Sequence, residues 1–219
     1  MLAARSRVVS IEARRSKHDP SKRHYQGSDR PSFSVEQLKS FLHVAEKFGK
    51  RELAMFVLAV AYGLRVSEIA NLKTSDLLFS DKKILIRRLK GSNTSRQAFR
   101  QVNGYNVETI LRDYLDDRKN NKGADSDVLF LSQKKCGFHT SQIYRIFSSI
   151  CEAAGIAPEY RHPHVLRHTT GQLLYDGGAR LEEIQQVLGH RSISSVTIYA
   201  RPTQDAVNKA VDQIFSKLF

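Results

Sequence analysis

The sequence has few cysteines and no long hydrophobic run. Cys136 and Cys151 are its two cysteines, too few for a disulfide framework or a zinc cluster, and such scarcity is typical of a reducing compartment. The longest apolar run, residues 53–64, is too short to span a bilayer and predicts a buried core helix. Internal repeats and low-complexity stretches are also absent from the sequence. We therefore expect one domain with tails.

Acidic residues are a minority. The chain has 35 lysines and arginines against 22 acids, which gives a formal net charge of +13 and a pI near 9.9. Such an excess favours a polyanionic partner, of which nucleic acid is the commonest. The alternative is a basic surface that only keeps the protein in solution.

The N-terminal residues differ from the rest in composition. They are rich in arginine and lysine, poor in apolar residues and without periodicity. We interpret residues 1–31 as a basic, flexible arm. Two alternatives are an organelle transit peptide over residues 1–16, where Glu12 is the one acid, and a plain solvated tail.

The remaining pattern predicts a mainly α fold with a small antiparallel β-sheet. Ser34 and Gln37 form a capping-box pattern, which predicts a helix from Val35. Further helices are expected in the apolar run, in a short stretch that begins at Val66, and in a stretch that begins at Thr140. Helices are also expected over residues 107–115, 164–174 and 181–188, with a short segment at 193–199. Strands are expected over residues 84–88, 97–102 and 127–131, the first two flanking a turn at 90–93.

Three motifs combine chemistry with context. They are Gly-Leu-Arg-Val-Ser-Glu at 63–68, His-Val-Leu-Arg-His at 164–168, and Leu-Gly-His at 188–190 followed by Tyr199. In this order and spacing, the set resembles the tyrosine recombinases, also called the phage integrase family, over about residues 32–199. The resemblance implies their catalytic-domain fold, that of DNA breaking-rejoining enzymes, over residues 32–200. It also implies a site-specific DNA recombinase that works through a 3′-phosphotyrosine intermediate.

The resemblance implies a catalytic role for each of six residues. An in-line attack on a phosphodiester builds negative charge on oxygens, and a planar guanidinium can meet two of them at once. The expected roles are Tyr199 as nucleophile, Arg65 and Arg167 as charge stabilisers, His190 as a further donor, His164 as base and Lys90 as the acid for the leaving 5′ oxygen.

Several of these residues have alternative interpretations. Tyr199 taken alone is typical of a core edge, and Glu68 either holds Arg65 or forms an ordinary surface pair with it. Clustered histidines at 162, 164 and 168 suggest a metal site, but no Glu or Cys completes it, so we expect no metal and no cofactor. His168 is interpreted as a packing residue or one that flanks the phosphate.

Basic and aromatic residues outside the six are candidates for DNA contacts. The hairpin around Lys90 is crowded with lysines and arginines, any of which could face the DNA backbone. For Tyr144 and Arg145, an ordinary basic helix face exposed to solvent explains the pattern equally well. The candidates are Arg87, Arg88, Arg96, Tyr144, Arg145 and His168.

The chain departs from most family members at its N-terminus. Most carry a separate core-binding domain that closes over DNA as a clamp, whereas here only the arm precedes the catalytic domain, as in the short members of the family. We expect double-stranded DNA as partner, a homo-oligomer of two to four copies on DNA, and help from an accessory DNA-binding protein or from the arm. No membrane partner is expected, and the expected location is cytoplasmic, at the nucleoid. A fragment cut at a domain boundary is the alternative.

The C-terminal segment, residues 201–219, has an amphipathic helical pattern. Family members donate such a helix to a neighbouring protomer, and we favour this exchange over folding back.

Two rival functions stay open. One is a type IB topoisomerase-like nicking and closing enzyme, and the other is a non-catalytic DNA-binding relative.

Overall fold

The computed structural model describes residues 31–88, 94–120, 125–134 and 136–200. The N-terminal arm up to residue 30, Lys90 and the C-terminal segment from residue 201 lie outside the described residues. The predictions for these three parts are therefore not addressed by the fold.

Helices dominate the described residues. The α-helices are α1 (Val35–Phe48), α2 (Lys50–Tyr62), α3 (Val66–Ala70), α4 (Val107–Lys119), α5 (Thr140–Ala153), α6 (His164–Asp176) and α7 (Leu181–Leu188). Short 3-10 turns occupy Thr74–Asp76, Pro158–Tyr160 and Ile193–Ser195. The helices predicted from hydrophobic periodicity are all present, with ends that differ by a few residues.

The capping pattern before α1 works as predicted. The Gln37 backbone N–H donates to Ser34 Oγ at 3.2 Å, and the Ser34 backbone N–H donates to Gln37 Oε1 at 2.9 Å. These reciprocal bonds satisfy two of the helix's free N–H groups and set its start at Val35.

Helix α2 is the centre of the core. Its sequence is apolar nearly all round, and it packs against α1, α4 and α6. Phe56 of α2 packs with three further phenylalanine rings, with neighbouring centroids 4.9–6.2 Å apart: Phe33, Phe41 and Phe147. A rigid, buried α2 can therefore hold its C-terminal end at a fixed place.

Two small antiparallel sheets lie beside the helices. The first has the order β1 (Leu77–Leu78), β2 (Lys83–Ile86), β3 (Ser95–Ala98), and the second pairs β4 (Gln101–Val102) with β5 (Tyr105–Asn106). The prediction of one strand over 97–102 was wrong, because the chain leaves β3 after Ala98. Arg100 turns inward there, and its Nη1 donates to the Ala61 carbonyl at 2.8 Å.

The predicted strand over residues 127–131 was also wrong. The segment makes two isolated bridges to different partners, Lys73 with Val128 and Leu131 with Gly137. Asp127 instead anchors the preceding turn, since its carbonyl accepts from the Thr74 backbone N–H at 2.8 Å and its carboxylate from Ser75. Bridges to two different segments leave no continuous ladder.

A second, smaller hydrophobic cluster lies at the C-terminal side of the described chain. It is formed by Ile184, Leu188, Val196 and Tyr199, and α7 packs against α6 there. No helix in the described part is long and apolar enough to cross a membrane. The architecture is mainly α with small antiparallel sheets, as predicted from the sequence.

Candidate active site

The site is built around the C-terminal end of α2. Gly63 caps this helix in the left-handed conformation, with φ of +57°, and a Cβ there would lie 2.3 Å from Leu188 Cδ2. The last carbonyls of a helix have no partner within it. Here four consecutive carbonyls each accept a side-chain hydrogen bond of 2.6–2.8 Å: Val60 from Thr170, Ala61 from Arg100, Tyr62 from Arg88 and Gly63 from Arg167.

Arg167 is buried at this helix end. Its Nη1 donates to the Gly63 carbonyl at 2.6 Å, while its Nη2 is buried without a hydrogen-bond partner among the described residues. Burial, together with the positive charges of Arg65 and Arg88, lowers the pKa of the Arg167 guanidinium below its ordinary value. A buried cation with an unused donor is suited to receive an anion.

Arg65 is the more exposed arginine, with 31% of its side chain accessible. Its Nη1 donates to Glu68 Oε1 at 2.8 Å, and its backbone N–H donates to Glu68 Oε2 at 2.9 Å. Glu68 is buried, which alone would raise its pKa, yet Arg88 and Arg65 outweigh that effect and hold the pKa of the carboxyl below its ordinary value. Glu68 thus holds Arg65, and the alternative of an ordinary surface pair does not describe this contact.

Arg88 is not at the surface, so its assignment as a DNA contact was wrong. Its side chain is fully buried, and its Nη1 donates to Glu68 Oε2 at 2.8 Å. Its Nη2 donates to the Tyr62 carbonyl and to that of Val187. These acceptors neutralise the charge and bind both Nη groups, which explains the burial, while Arg88 Nε is buried without a hydrogen-bond partner among the described residues.

Helix α6 carries two histidines toward Tyr199. His164 is exposed at the start of α6, and its ring centroid lies 5.5 Å from that of His168, one turn later. His168 is buried, and its Nδ1 lies 3.3 Å from the Tyr199 hydroxyl. The interpretation of His168 as a packing residue or phosphate flank missed this contact, because sequence spacing does not relate position 168 to 199.

Tyr199 is 6% exposed and lies across α6. Its ring occupies the space over Gly171, where an added Cβ would come within 2.2 Å of Tyr199 Cζ and 2.6 Å of its hydroxyl oxygen. Any residue larger than glycine would displace the ring. A glycine inside a helix costs stability, and its presence in α6 was the one available sequence signal for this close approach.

His190 follows the left-handed cap of α7. Gly189 has a φ of +64°, and a Cβ there would lie 2.8 Å from Arg88 Nε. The His190 backbone N–H donates to the Gln185 carbonyl at 3.0 Å, and Gln185 Nε2 donates to the His190 carbonyl at 3.1 Å. The half-buried His190 is therefore held by backbone contacts at the end of α7.

Contacts join the described candidates into two groups. Arg65, Glu68 and Arg88 form one hydrogen-bonded chain that reaches α7 just before His190. His164, His168 and Tyr199 form the other, and the charges of Arg65 and Tyr199, one from each group, both influence the pKa of Arg167. Lys90 lies outside the described residues, two positions after Arg88.

The remaining candidates for DNA contacts lie at the surface. Arg87 is about half exposed and pairs with the buried Asp76 at 2.8 Å. Arg96 on β3 and Tyr144 and Arg145 on α5 are exposed. No group of three metal-binding side chains was found among the described residues.

The sequence of this chain is similar to a family profile and to individual proteins. A profile of the Phage integrase family matches residues 32–205. The chain is 34% identical over 201 residues to the tyrosine recombinase XerD of Rickettsia bellii (strain RML369-C), covering 85% of this chain and 65% of XerD. It is also 34% identical over 152 residues to the type 1 fimbriae regulatory protein FimE of Escherichia coli (strain K12), covering 69% of this chain and 74% of FimE.

Solved structures share the fold. The crystal structure of XerA recombinase superposes with a TM-score of 0.68 at 30% identity, over 84% of this chain and 63% of XerA. XerH site-specific recombinase, in a pre-cleavage complex with its difH substrate, superposes with a TM-score of 0.69 at 25% identity, over 83% of this chain and 54% of XerH. The chain spans less than two thirds of the length of XerD, XerA and XerH.

Proposed function

The chain belongs to the phage integrase family, and on that premise we propose that it is a site-specific recombinase that cuts and rejoins DNA through Tyr199. One observation carries the proposal. The buried guanidinium of Arg167 has an Nη2 without a hydrogen-bond partner among the described residues, and the charges of Arg65 and Tyr199 are near enough to influence its pKa. A phosphodiester placed there would meet two guanidinium groups beside a phenol, which is what strand cleavage by tyrosine needs.

The proposed reaction exchanges one phosphodiester for another. The Tyr199 hydroxyl oxygen attacks phosphorus, and the bond from phosphorus to the 5′ oxygen breaks. The phenol proton passes to His164, the base that the family motif implies, and the leaving 5′ oxygen takes a proton from Lys90. A 5′ hydroxyl later attacks the 3′-phosphotyrosine and releases Tyr199. Because every bond broken is replaced by an equivalent one, the balance requires no ATP.

The arginines have distinct parts in this proposal. Arg167 is fixed by the Gly63 carbonyl and would meet the charge that grows on a non-bridging oxygen as the bond breaks. Arg65, held by Glu68 and partly exposed, would meet the phosphate from the solvent side. His190 would donate to the same oxygens. His168 would hold the Tyr199 hydroxyl in the position described.

Double-stranded DNA is the proposed substrate, and a homo-oligomer on DNA is the proposed assembly. Structures of relatives such as XerH bound to difH support DNA as the partner. We propose that four residues with accessible side chains contact the DNA backbone: Arg87, Arg96, Tyr144 and Arg145. The proposed organisation is a basic arm up to residue 31, a catalytic domain over 32–200 and an exchanged C-terminal helix over 201–219. An accessory DNA-binding protein and a location at the nucleoid complete the proposal.

The similarity to XerD and FimE supports recombination over the topoisomerase-like alternative. The two can be separated by products. A recombinase joins strands from two duplexes, whereas a nicking and closing enzyme only relaxes supercoils in one.

Covalent trapping on DNA tests the function. The substrate is a set of genomic fragments that carry a nick, so that the strand cannot be rejoined once it is cleaved. Wild-type protein should accumulate a covalent protein–DNA adduct on these fragments. Tyr199→Phe should form no adduct while keeping duplex affinity, because only the hydroxyl is removed. Tyr175→Phe, at the exposed end of α6, is the matched control and should form adduct normally. Adduct at wild-type level in Tyr199→Phe would refute the assignment.

A further inference from the structure

Arg88 is a buried charge that the proposed reaction does not use directly. Its side chain has no accessible surface, although it lies two residues before Lys90 in a basic hairpin. Its three hydrogen bonds go to parts of the chain far apart in sequence: the Glu68 carboxylate, the Tyr62 carbonyl and the Val187 carbonyl. A buried arginine with three such acceptors fixes them relative to one another.

The first link reaches Arg65. Glu68 uses Oε1 for the Arg65 guanidinium, while Oε2 accepts from both the Arg65 backbone N–H and Arg88 Nη1. The orientation of the carboxylate therefore depends on Arg88, and the orientation of the Arg65 guanidinium depends on the carboxylate. Without Arg88, a buried Glu68 would keep Arg65 as its one direct ionic partner among the described residues.

The second link reaches the end of α7. Arg88 donates to the Val187 carbonyl, and the backbone of Gly189 lies against its Nε, where a Cβ would come within 2.8 Å. His190 is the next residue. The third link, to the Tyr62 carbonyl, is made beside the Gly63 carbonyl that holds Arg167.

We propose that Arg88 is a positioning residue for strand cleavage, which fixes Arg65 through Glu68 and sets the end of α7 that carries His190. The inference rests on the proposed function. It assigns Arg88 no contact with DNA. Its effect is on the alignment of groups that stabilise the transition state, where a misplacement of about 1 Å costs roughly a hundredfold in rate.

The test compares the buried Arg88 with the half-buried Arg100, which hold neighbouring carbonyls of α2. Arg88→Met and Arg88→Lys remove the three-way link, the second while keeping a cation. Arg100→Met is the matched control, because Arg100 bonds the Ala61 carbonyl and Gln97 but makes no described contact with Glu68 or α7. Each full-length variant is measured for thermal unfolding, duplex affinity and the single-turnover rate of adduct formation on the nicked substrate.

We expect the Arg88 variants to bind duplex within a few-fold of wild type and to cleave about a hundredfold more slowly. Arg100→Met should lose stability but cleave within a few-fold of the wild-type rate. Equal slowing by Arg100→Met, a rate loss that only follows affinity, or wild-type cleavage by the Arg88 variants would overturn the inference. If Arg88→Met does not fold, Arg88→Lys decides, and failure of both to fold would overturn the positioning role.

A pH profile separates positioning from a loss of fold. Arg65, Arg88 and Arg167 face Glu68, and removing Arg88 leaves burial less opposed, so the pKa of Glu68 rises. The carboxylate holds Arg65 above that pKa and releases it as the pH falls through it. The acid limb of the rate profile should therefore move to higher pH in Arg88→Met and stay in place in Arg100→Met. A loss of cleavage rate by the same factor at every pH, with the acid limb unmoved, would contradict the inference.

The two levels of hypothesis fail differently. Wild-type protein that forms no Tyr199 adduct on any DNA would overturn the proposed function and this inference with it. Wild-type protein that forms adduct, with Arg88 variants that match it, would overturn the inference alone.

Discussion

Arg167 carries its charge in a place where charge is costly. Burial disfavours the guanidinium, Arg65 and Arg88 repel it, and the one described bond of its Nη atoms goes to the Gly63 carbonyl. The positive charge is retained at a cost that an incoming anion would remove. Stability and anion binding should therefore be linked at this residue.

The first prediction follows from this linkage. Sulfate should raise the unfolding midpoint of the wild-type protein by about 2–4 °C more than that of Arg167→Met, which corresponds to about 1 kcal/mol. Sulfate also stabilises proteins generally by exclusion from their surfaces, so the difference between the two proteins is the measured quantity. Scanning calorimetry with chloride at matched ionic strength provides the baseline.

Arg145→Met controls for the loss of any positive charge, since Arg145 is exposed on α5. It should respond to sulfate as the wild-type protein does. An equal rise in all three proteins would mean that the anion does not bind at Arg167.

At the scale of the element, α2 ends in an unusual way. Its last carbonyls are satisfied by side chains from the sheet region and from α6, and so the helix end joins parts that the hydrophobic core alone would not align. Thr170 supplies the neutral member of this set, and its Oγ1 also lies 2.9 Å from the Leu166 carbonyl within α6.

The second prediction concerns this neutral bond. Thr170→Val keeps the shape of the side chain but removes its donor, so the buried Val60 carbonyl loses its side-chain partner. We expect a loss of about 1–2 kcal/mol in the free energy of unfolding, measured with urea. Thr197→Val is the control, because Thr197 Oγ1 bonds the Ser194 carbonyl at an exposed position, and it should change stability by much less. Equal losses would show that the α2 end does not depend on this bond.

At the scale of the whole molecule, the excess of basic residues is densest at the N-terminal end, although most of it lies in the rest of the chain. Eight of the 35 lysines and arginines fall in the first thirty residues: Arg5, Arg7, Arg14, Arg15, Lys17, Lys22, Arg23 and Arg30. A segment of this kind can neutralise DNA phosphates without base contacts, which makes its contribution to affinity depend on salt.

The third prediction measures that contribution. Replacing residues 1–30 with a glycine and serine segment of equal length should reduce the slope of log affinity against log salt by several units, since each neutralised phosphate adds about 0.9. The rate of adduct formation at saturating DNA should stay within a few-fold of wild type. An unchanged slope would assign the arm no part in DNA binding.

Local patterns predicted the helices well and the non-local contacts poorly. The capping pair at 34 and 37 and the apolar stripes specify helices within a few residues of sequence. Arg87 and Arg88 show the limit, because they are adjacent and chemically identical. Which one turns inward depends on Glu68 and on Val187, which lies 99 residues away. For the same reason, the sequence pattern predicted neither the contact between His168 and Tyr199 nor the absence of a continuous ladder at 127–131.

The placement of Tyr199 over Gly171 has a consequence for the reactivity of the phenol. Because only 6% of Tyr199 is exposed, its ring is shielded from solvent and from reactive small molecules. The shield depends on one absent methyl group. Gly171→Ala would place a methyl group 2.2 Å from Tyr199 Cζ, so the ring would have to move and the phenol should become more accessible to small reagents.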